Sequence, residues 1–243
     1  MGFNLFDRSQ YKMQLTVQGE AFYHKAKPLV AKYRQLPTDI APILDNVESK
    51  IRVAWDIALD LSSVTELFKK TTLIYQHTVF HFNQMDYLAS IRSLLAKEVD
   101  LAVCYADTFH IDLEYICLSK INMLPVCNDE YLQTMKSMHS DKWMRIMIEG
   151  TYFKLQDKDL MNNAKCLVKD MQASKQMILA GLGIGRLPKN LIKHEIESGQ
   201  LRLLPADIAL PLELSIYKIR NKQIEHGKVA QFLWNNLFLN ESD

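Results

Sequence analysis

The feature that most constrains the fold is the alternation, after about residue 50, of short apolar strands with amphipathic helices. Predicted strands cover 51–55, 73–80 and 100–105, and predicted helices cover 62–70 and 85–97. Ser62 or Ser63 is the expected cap of the first of these helices. This β-α-β-α-β order is typical of a mostly parallel sheet covered by helices. The chain is therefore predicted to have an α/β fold.

The second half of the chain repeats the theme after an extended segment, 113–126, that holds one or two more strands. Predicted helices cover 129–138, 172–180, 189–197 and 229–239, and predicted strands cover 143–148, 165–169, 184–187, 201–204 and 212–219. Two β/α units of similar size predict two lobes with a cleft between them. Ligands of open α/β sheets bind outside the carboxyl ends of the strands, against helix N-termini.

The N-terminal segment has a different pattern. Thr16 can cap a helix whose first turn contains Glu20. Apolar residues then recur at helical spacing at Phe22, Ala26, Leu29, Val30 and Tyr33. Pro28 is expected to kink this helix or to mark a local break. Pro37 and Pro42 indicate that the helix has ended, or that it restarts only briefly, before residue 50.

Charge is unevenly distributed along the 243 residues. The chain has a net charge of +1, whereas residues 1–36 carry six basic and two acidic side chains. A basic N-terminal end on a mildly acidic body indicates either a nearby polyanion or an ordinary solvated helix face. The overall charge gives no reason to expect nucleic acid or membrane binding by the whole surface.

Cysteine usage and hydropathy predict a cytoplasmic protein. Cys104, Cys117, Cys127 and Cys166 form no C-x-x-C pair and lie in apolar or strand-like runs, so we expect reduced, buried thiols, with a redox-sensing pair as the alternative. The N-terminus has no apolar run typical of a signal peptide. No uncharged stretch reaches the roughly 18 residues of a membrane span, so no membrane partner is expected.

The motifs of enzymes are missing from the sequence. Residues 181–185 (GLGIG) follow a predicted helix and precede a strand, which is the reverse of the order that a dinucleotide loop needs, so we interpret them as a helix stop and turn. His77 and His81 would lie roughly 13 Å apart on a strand, too far to share one metal ion. We therefore expect no catalytic residues, no metal and no cofactor.

Three segments together resemble the LysR-type transcriptional regulators. Residues 5–8 (LFDR) and 15–22 (LTVQGEAF) are similar to the family's "LF-x-R … LT-x-x-G-x-x-F", where the wing of a winged helix-turn-helix domain meets a linker helix. Residues 100–103 (DLAV) are similar to a strand of the first regulatory subdomain. Residues 178–188 (ILAGLGIGRLP), followed by Gly199-Gln200-Leu201, are similar to "V-x-x-G-x-G-I-x-x-L-P … G-x-L" in the second.

The resemblance implies a two-lobed, periplasmic-binding-protein-like effector domain that binds a small molecule in its cleft. It assigns 1–15 to a wing remnant, 16–49 to a linker and dimerisation helix, 50–124 with 210–243 to subdomain I, and 125–209 to subdomain II. The implied effector-binding residues follow strands: Asp56, Ile57, His81, Phe82, Asn83, Tyr105, Ala106, Gly150, Thr151, Asp170 and Met171. Helix N-termini at these strand ends favour an anionic effector. Asp56 and Asp170 count against a simple anion site. They are expected either to bind amine or hydroxyl groups of the effector or to pair with Arg186 or Lys169. The resemblance also implies self-association as a dimer or tetramer.

One departure bears on DNA binding. In the family a helix-turn-helix precedes the "LF-x-R" motif, and the sequence starts just before that motif, so we expect the recognition helix to be absent. Arg8 and Lys12 can touch the DNA backbone, and promoter recognition is expected only in a full-length form. Either this polypeptide is part of a full regulator, or it is a natural remnant that only senses and dimerises. The alternative is a stand-alone small-molecule-binding protein of the same fold without DNA-binding activity.

Overall fold

The computed structural model describes residues 4–7, 13–148 and 166–238, without the side chains of 37–39, 41–44 and 63. The chain divides into two compact units, 1–49 and 50–243. Arg8, Lys12, Gly150 and Thr151 lie outside the described residues.

The first unit contains a short hairpin and one long helix. Strands β1 (Phe6–Asp7) and β2 (Gln14–Leu15) pair antiparallel and precede helix α1 (Val17–Leu44). The predicted cap is confirmed, because the Thr16 hydroxyl oxygen accepts a hydrogen bond from the Gly19 amide at 2.9 Å. Gly19 has no room for a side chain, since an added Cβ would lie 2.0 Å from the Leu5 carbonyl oxygen.

The expectation that α1 ends before its later prolines is wrong. The helix runs without interruption through Pro28, Pro37 and Pro42 to Leu44. Each proline removes one backbone hydrogen-bond donor and can bend a helix, but it does not necessarily end one.

The second unit is built around one mixed sheet. Its elements in chain order are β3 (Lys50–Asp56), α2 (Thr65–Ile74), β4 (Val79–Met85), α3 (Tyr87–Leu95), β5 (Leu101–Tyr105), β6 (Leu113–Asn128), α4 (Asp129–Met135), β7 (Ile146–Ile148), β8 (Cys166–Val168), α5 (Met171–Leu179), β9 (Gly185–Pro188), α6 (Lys193–Glu197), β10 (Leu201–Leu203), β11 (Leu212–Asn221) and α7 (Lys228–Asn236). Short 3-10 turns cover Leu61–Val64, Ser140–Lys142 and Lys189–Leu191.

The sheet has the strand order β10-β6-β11-β5-β3-β4, and β9 also pairs with β6. Strand β3 lies parallel to both β4 and β5, whereas β11 lies antiparallel to β5 and β6. Strand β6 pairs with β11 over its first part and with β9 and β10 over its last part. It therefore crosses between two lobes. The first lobe contains β3, β4 and β5, and the second lobe contains β7 to β10. The predicted α/β class is confirmed.

Each lobe has its own apolar core. Ala54, Leu94, Ala102 and Ile219 belong to a cluster in the first lobe, between the sheet and α3. A second cluster contains Ile178, Leu187 and Leu201 of the second lobe, and Ile57 and Ala58, which follow β3, pack into it. The turn after β3 therefore joins the cores of the two lobes.

One predicted strand, 73–80, is wrong at its start. Helix α2 continues to Ile74 and strand β4 begins only at Val79. Threonines are unusual in a helix, but here Thr71 donates through its hydroxyl to the Leu67 carbonyl oxygen at 2.7 Å, and its side chain is buried. The hydroxyl therefore has a partner within the helix and the side chain packs in the core, so the helix tolerates the β-branched residues that indicated a strand.

Residues 181–185 form the predicted helix stop. The Leu182 amide donates to the Met177 carbonyl and the Gly181 amide to the Ile178 carbonyl, and Gly181 has a φ of 74°. This is the Schellman arrangement, in which glycine is favoured at the left-handed position. A Cβ at Gly183 would lie 2.3 Å from the Met144 carbonyl oxygen, so that position also requires glycine.

Candidate functional site

A cleft with a volume of about 640 Å³ lies between the two lobes of the second unit. Its described lining consists of Trp55, residues 57–61, Phe82, Gln84, residues 170–172 and residues 190–191. This volume is in the range of sites for small organic ligands.

The first-lobe wall depends on the register of two parallel strands. Val53 is paired with Phe82, and Trp55 with Gln84. Since side chains alternate across a strand, Phe82 and Gln84 lie on the same face as Trp55, next to the turn that follows β3. The Trp55 indole nitrogen donates to the Leu59 carbonyl oxygen at 3.3 Å, which holds that turn against the strand.

Two helical N-termini lie in the cleft lining, and each is capped by an aspartate. Asp170 Oδ1 accepts a hydrogen bond from the Ala173 amide at 2.7 Å, at the start of α5. Asp60 Oδ1 accepts from the Ser62 amide at 2.9 Å and Oδ2 from the Ser62 hydroxyl at 2.5 Å, at the start of the 3-10 turn. The side-chain hydrogen bond and then the backbone hydrogen bond from Ser62 lower the pKa of Asp60, which favours its ionised form.

Asp56 lies at the end of β3 and is buried, with 4% of its surface exposed. Its carboxylate accepts hydrogen bonds from the Ala58 amide at 2.9 Å and the Tyr105 amide at 3.4 Å. Burial raises the pKa of Asp56 to about 6, against the lowering by these two amides, and the nearby charge of Asp86 raises it further. Asp56 therefore fixes the ends of β3 and β5 rather than facing the cleft.

The structure brings together four of the effector-binding residues that the sequence predicted. Ile57, Phe82, Asp170 and Met171 line the cleft. The described lining does not include Asp56, His81, Asn83, Tyr105 or Ala106. His81 and Asn83 lie within β4, not after it, and alternation places them on the face opposite to Phe82. Asp170 caps α5, so the alternative of pairing with Arg186 or Lys169 is not needed to explain it.

Sequence reasoning missed several residues of the lining. Asp60, and not Ser62 or Ser63, caps the turn after β3, although an Asp two residues before a serine was a usable signal. Trp55 was predicted only as the last residue of the strand 51–55, with no role in the site. Asn190 and Leu191 carried no signal, because they enter the cleft through a 3-10 turn between β9 and α6.

The second lobe also contains a smaller cavity, of about 60 Å³. Met123, Ile146 and Leu204 are among its mostly apolar lining, together with Arg145 and Arg186. This volume is well below the roughly 300–1,000 Å³ of sites for small organic ligands, so the cleft between the lobes is the better candidate.

The four cysteines are free thiols. Cys104 and Cys127 are buried and Cys166 is half-buried, but Cys117 is exposed, contrary to the expectation of four buried thiols. Cys117 lies in the middle of β6, where residues 114–122 are exposed or half-buried as the strand crosses between the lobes.

Two features are absent from the part of the chain that the structure describes. No three or more His, Cys, Asp or Glu side chains there are grouped so that they could hold a metal ion. None of the helices within residues 4–7, 13–148 and 166–238 is both long and apolar enough to cross a membrane.

Comparison with known proteins gives a consistent result. The family model of the LysR substrate binding domain matches residues 45–237. The HTH-type transcriptional regulator YjiE of Escherichia coli K12 is 22% identical over 98% of this chain and 80% of its own length. The HTH domain-truncated transcriptional regulator QseD of Escherichia coli O157:H7 is 22% identical over 93% of this chain and 96% of its own length.

Solved structures share the fold. The full-length regulator LysG from Corynebacterium glutamicum with bound effector Arg has a TM-score of 0.60 at 18% identity, covering 95% of this chain and 80% of LysG. The bromide-bound regulatory domain of HypT from Salmonella typhimurium has a TM-score of 0.59 at 20% identity, covering 77% of this chain and 92% of that domain.

Proposed function

Because the chain belongs to the LysR substrate binding domain family, we propose that it senses a small-molecule effector for a LysR-type transcriptional regulator. The cleft of about 640 Å³ carries this proposal, because it lies between two lobes whose cores meet at the turn after β3. A ligand that contacts both walls would favour one arrangement of the lobes over others. The LysG structure, which has a bound effector Arg, supports effector binding by this fold.

We assign the effector contacts to Ile57, Phe82, Asp170 and Met171, which line the cleft, and Asp56 to a positioning role. Gly150 and Thr151 remain proposals from the family resemblance. Subdomain I is proposed as 50–124 with 210–243, and subdomain II as 125–209. The family consists of transcriptional regulators, so we infer that the chain has no enzymatic activity and acts in the cytoplasm, where the promoters that such regulators control are found.

Promoter DNA is a partner only of a full-length form. The 243-residue chain itself should bind promoter and scrambled DNA equally weakly, in the range of about 10⁻⁴–10⁻⁶ M that backbone contacts give. A second candidate function is that of a sensor without DNA-binding activity in any form. The match to QseD, which is described as HTH domain-truncated and is covered over 96% of its length, favours this candidate. A coding sequence for an in-frame helix-turn-helix upstream would exclude it.

The effector proposal is tested by thermal unfolding with a metabolite library. A ligand that binds only the folded protein raises the melting temperature by mass action. At least one compound should do so, and Gln172→Trp, which places a large side chain in the cleft, should abolish the shift. Gln133→Trp is the matched control, because Gln133 is exposed on α4 outside the cleft lining. A shift that survives in Gln172→Trp but is lost in Gln133→Trp would place the ligand elsewhere.

A further inference from the structure

The charged side chains of the cleft have one sign. Among the described residues of the lining, the only ionisable side chains are the carboxylates of Asp60 and Asp170, and that lining contains no Lys, Arg or His. Both carboxylates lie at exposed positions, and the pKa of Asp60 is lowered by the hydrogen bonds from Ser62. The described walls therefore present negative charge to a ligand.

The helix N-termini do not reverse this sign. A helix N-terminus attracts anions because its first amides have no partners within the helix. Here the Ala173 amide of α5 and the Ser62 amide of the 3-10 turn already donate to Asp170 and Asp60. An anionic effector would have to displace a carboxylate cap or lie beside it, and both arrangements are unfavourable.

The remainder of the lining suits the other parts of an organic cation. Phe82 is 39% exposed and its ring is held by an edge-to-face contact with Phe68, with centroids 4.4 Å apart. Leu61 and Leu191 add apolar surface, and Gln172 and Asn190 add amide groups that can accept hydrogen bonds. An aromatic ring also favours a nearby cation.

We propose that the effector is a small organic cation, with an ammonium or guanidinium group beside an apolar portion. The positive group is recognised by the carboxylates of Asp60 and Asp170, and the apolar portion packs against Phe82 and its neighbours. Asp170 uses Oδ1 to cap α5, and the second oxygen of a carboxylate can accept a hydrogen bond from the ligand. This inference rests on the proposed effector-sensing function and adds the chemical class of the ligand.

The test is a panel of compounds matched in shape and opposite in charge. Thermal unfolding of the full chain is measured with three pairs of opposite charge: benzylamine and benzoate, phenethylamine and phenylacetate, and agmatine and glutarate. Neutral 2-phenylethanol is the uncharged control, and all compounds are compared at equal ionic strength. The metabolite library, sorted by charge, is measured alongside. The amines and guanidines should raise the melting temperature, and the carboxylates should not.

Two variants test the residues named. Asp60→Asn and Asp170→Asn remove the charge but keep a side chain that caps helices as well as Asp does, so the fold is preserved. Each should weaken binding of the best amine about tenfold or more, as the loss of a charged hydrogen bond does. Asp207→Asn, at an exposed position outside the cleft lining, should leave binding unchanged.

The outcomes separate the two proposals. If carboxylates or neutral compounds are the ones that stabilise the protein, or if the Asn variants bind amines as tightly as the parent does, the cation proposal is wrong while effector sensing stands. If no compound of any charge class, in panel or library, stabilises the protein, effector sensing itself is contradicted.

Discussion

At the residue scale, Asp56 shows how burial changes the chemistry of a side chain that the sequence identifies only by position. The sequence placed Asp56 at the end of a strand and predicted contact with the effector. The structure buries it at the end of β3, where two backbone amides are its hydrogen-bond donors. Because these amides compensate only part of the lost hydration, the pKa of Asp56 is raised, and the folded protein holds this proton more tightly than the unfolded chain does.

Stability should therefore depend on pH through Asp56. Its pKa is about 6 in the folded protein, above the ordinary value of 3.8. A raised carboxyl pKa contributes stability that is fully present below about pH 4 and is lost as the pH rises through 6, by at most about 3 kcal/mol. Urea unfolding of the parent and of Asp56→Asn, between pH 4.5 and 7.5, should show the parent losing stability relative to the variant as pH rises. The same comparison with Asp207→Asn is the control. If the difference in unfolding free energy between the parent and Asp56→Asn does not change with pH, the raised pKa of Asp56 is contradicted.

At the element scale, one half-buried ion pair connects three elements of the second-lobe wall. Lys175 of α5 lies 2.6 Å from Glu195 of α6, and both side chains are about 15% exposed. The Lys175 ammonium also donates to the Leu191 carbonyl oxygen at 2.7 Å, and Leu191 lines the cleft. The hydrogen bond from Lys175 lowers the pKa of Glu195 more than its partial burial raises it. Lys175 is therefore a positioning residue for this wall.

A double-mutant cycle should measure this connection. For Lys175→Met and Glu195→Gln we expect a coupling of about 1–3 kcal/mol in unfolding free energy, because breaking a half-buried pair leaves one poorly hydrated charge uncompensated. Lys120 and Glu213 are also 2.6 Å apart, but more than half of each side chain is exposed, so their coupling should stay below about 1 kcal/mol. Equal couplings for the two pairs would show that burial does not strengthen the first.

At the scale of the whole molecule, the apolar stripe of α1 is the surface that points to self-association. The structure leaves Leu29 68%, Val30 48% and Tyr33 77% exposed. Apolar stripes of this size on a helix are usually covered by a partner. Members of this family form oligomers, and we assign the contact between copies of this chain to that stripe.

Light scattering at micromolar concentration should show a dimer or a larger assembly. Leu29→Glu should shift it towards a monomer, because a charge in the contact loses its hydration without gaining a partner. Gln35→Glu adds the same charge about 120° around the helix from Leu29 and should leave the assembly intact. Thermal unfolding of both variants checks that the second unit is still folded. A parent protein that is monomeric would contradict the assignment.

The sequence by itself determined the features that depend on residues close together in the chain. Thr16 caps α1 and Gly181 ends α5 because the partners of each lie within a few residues. The strand–helix alternation fixed the α/β class, and three short motifs indicated the family.

The tertiary structure decided which residues meet across the chain. Residues 81–83 were predicted to reach the effector together, but only Phe82 lines the cleft, because alternate side chains of a strand point to opposite faces and the strand begins later than predicted. The place of Asp170 in the cleft could be predicted because this residue follows a strand. Asn190 and Leu191, in contrast, lie in the cleft only because a 3-10 turn and the Lys175 hydrogen bond bring them there. Such contacts join residues that are far apart in sequence, and local patterns contain no information about them.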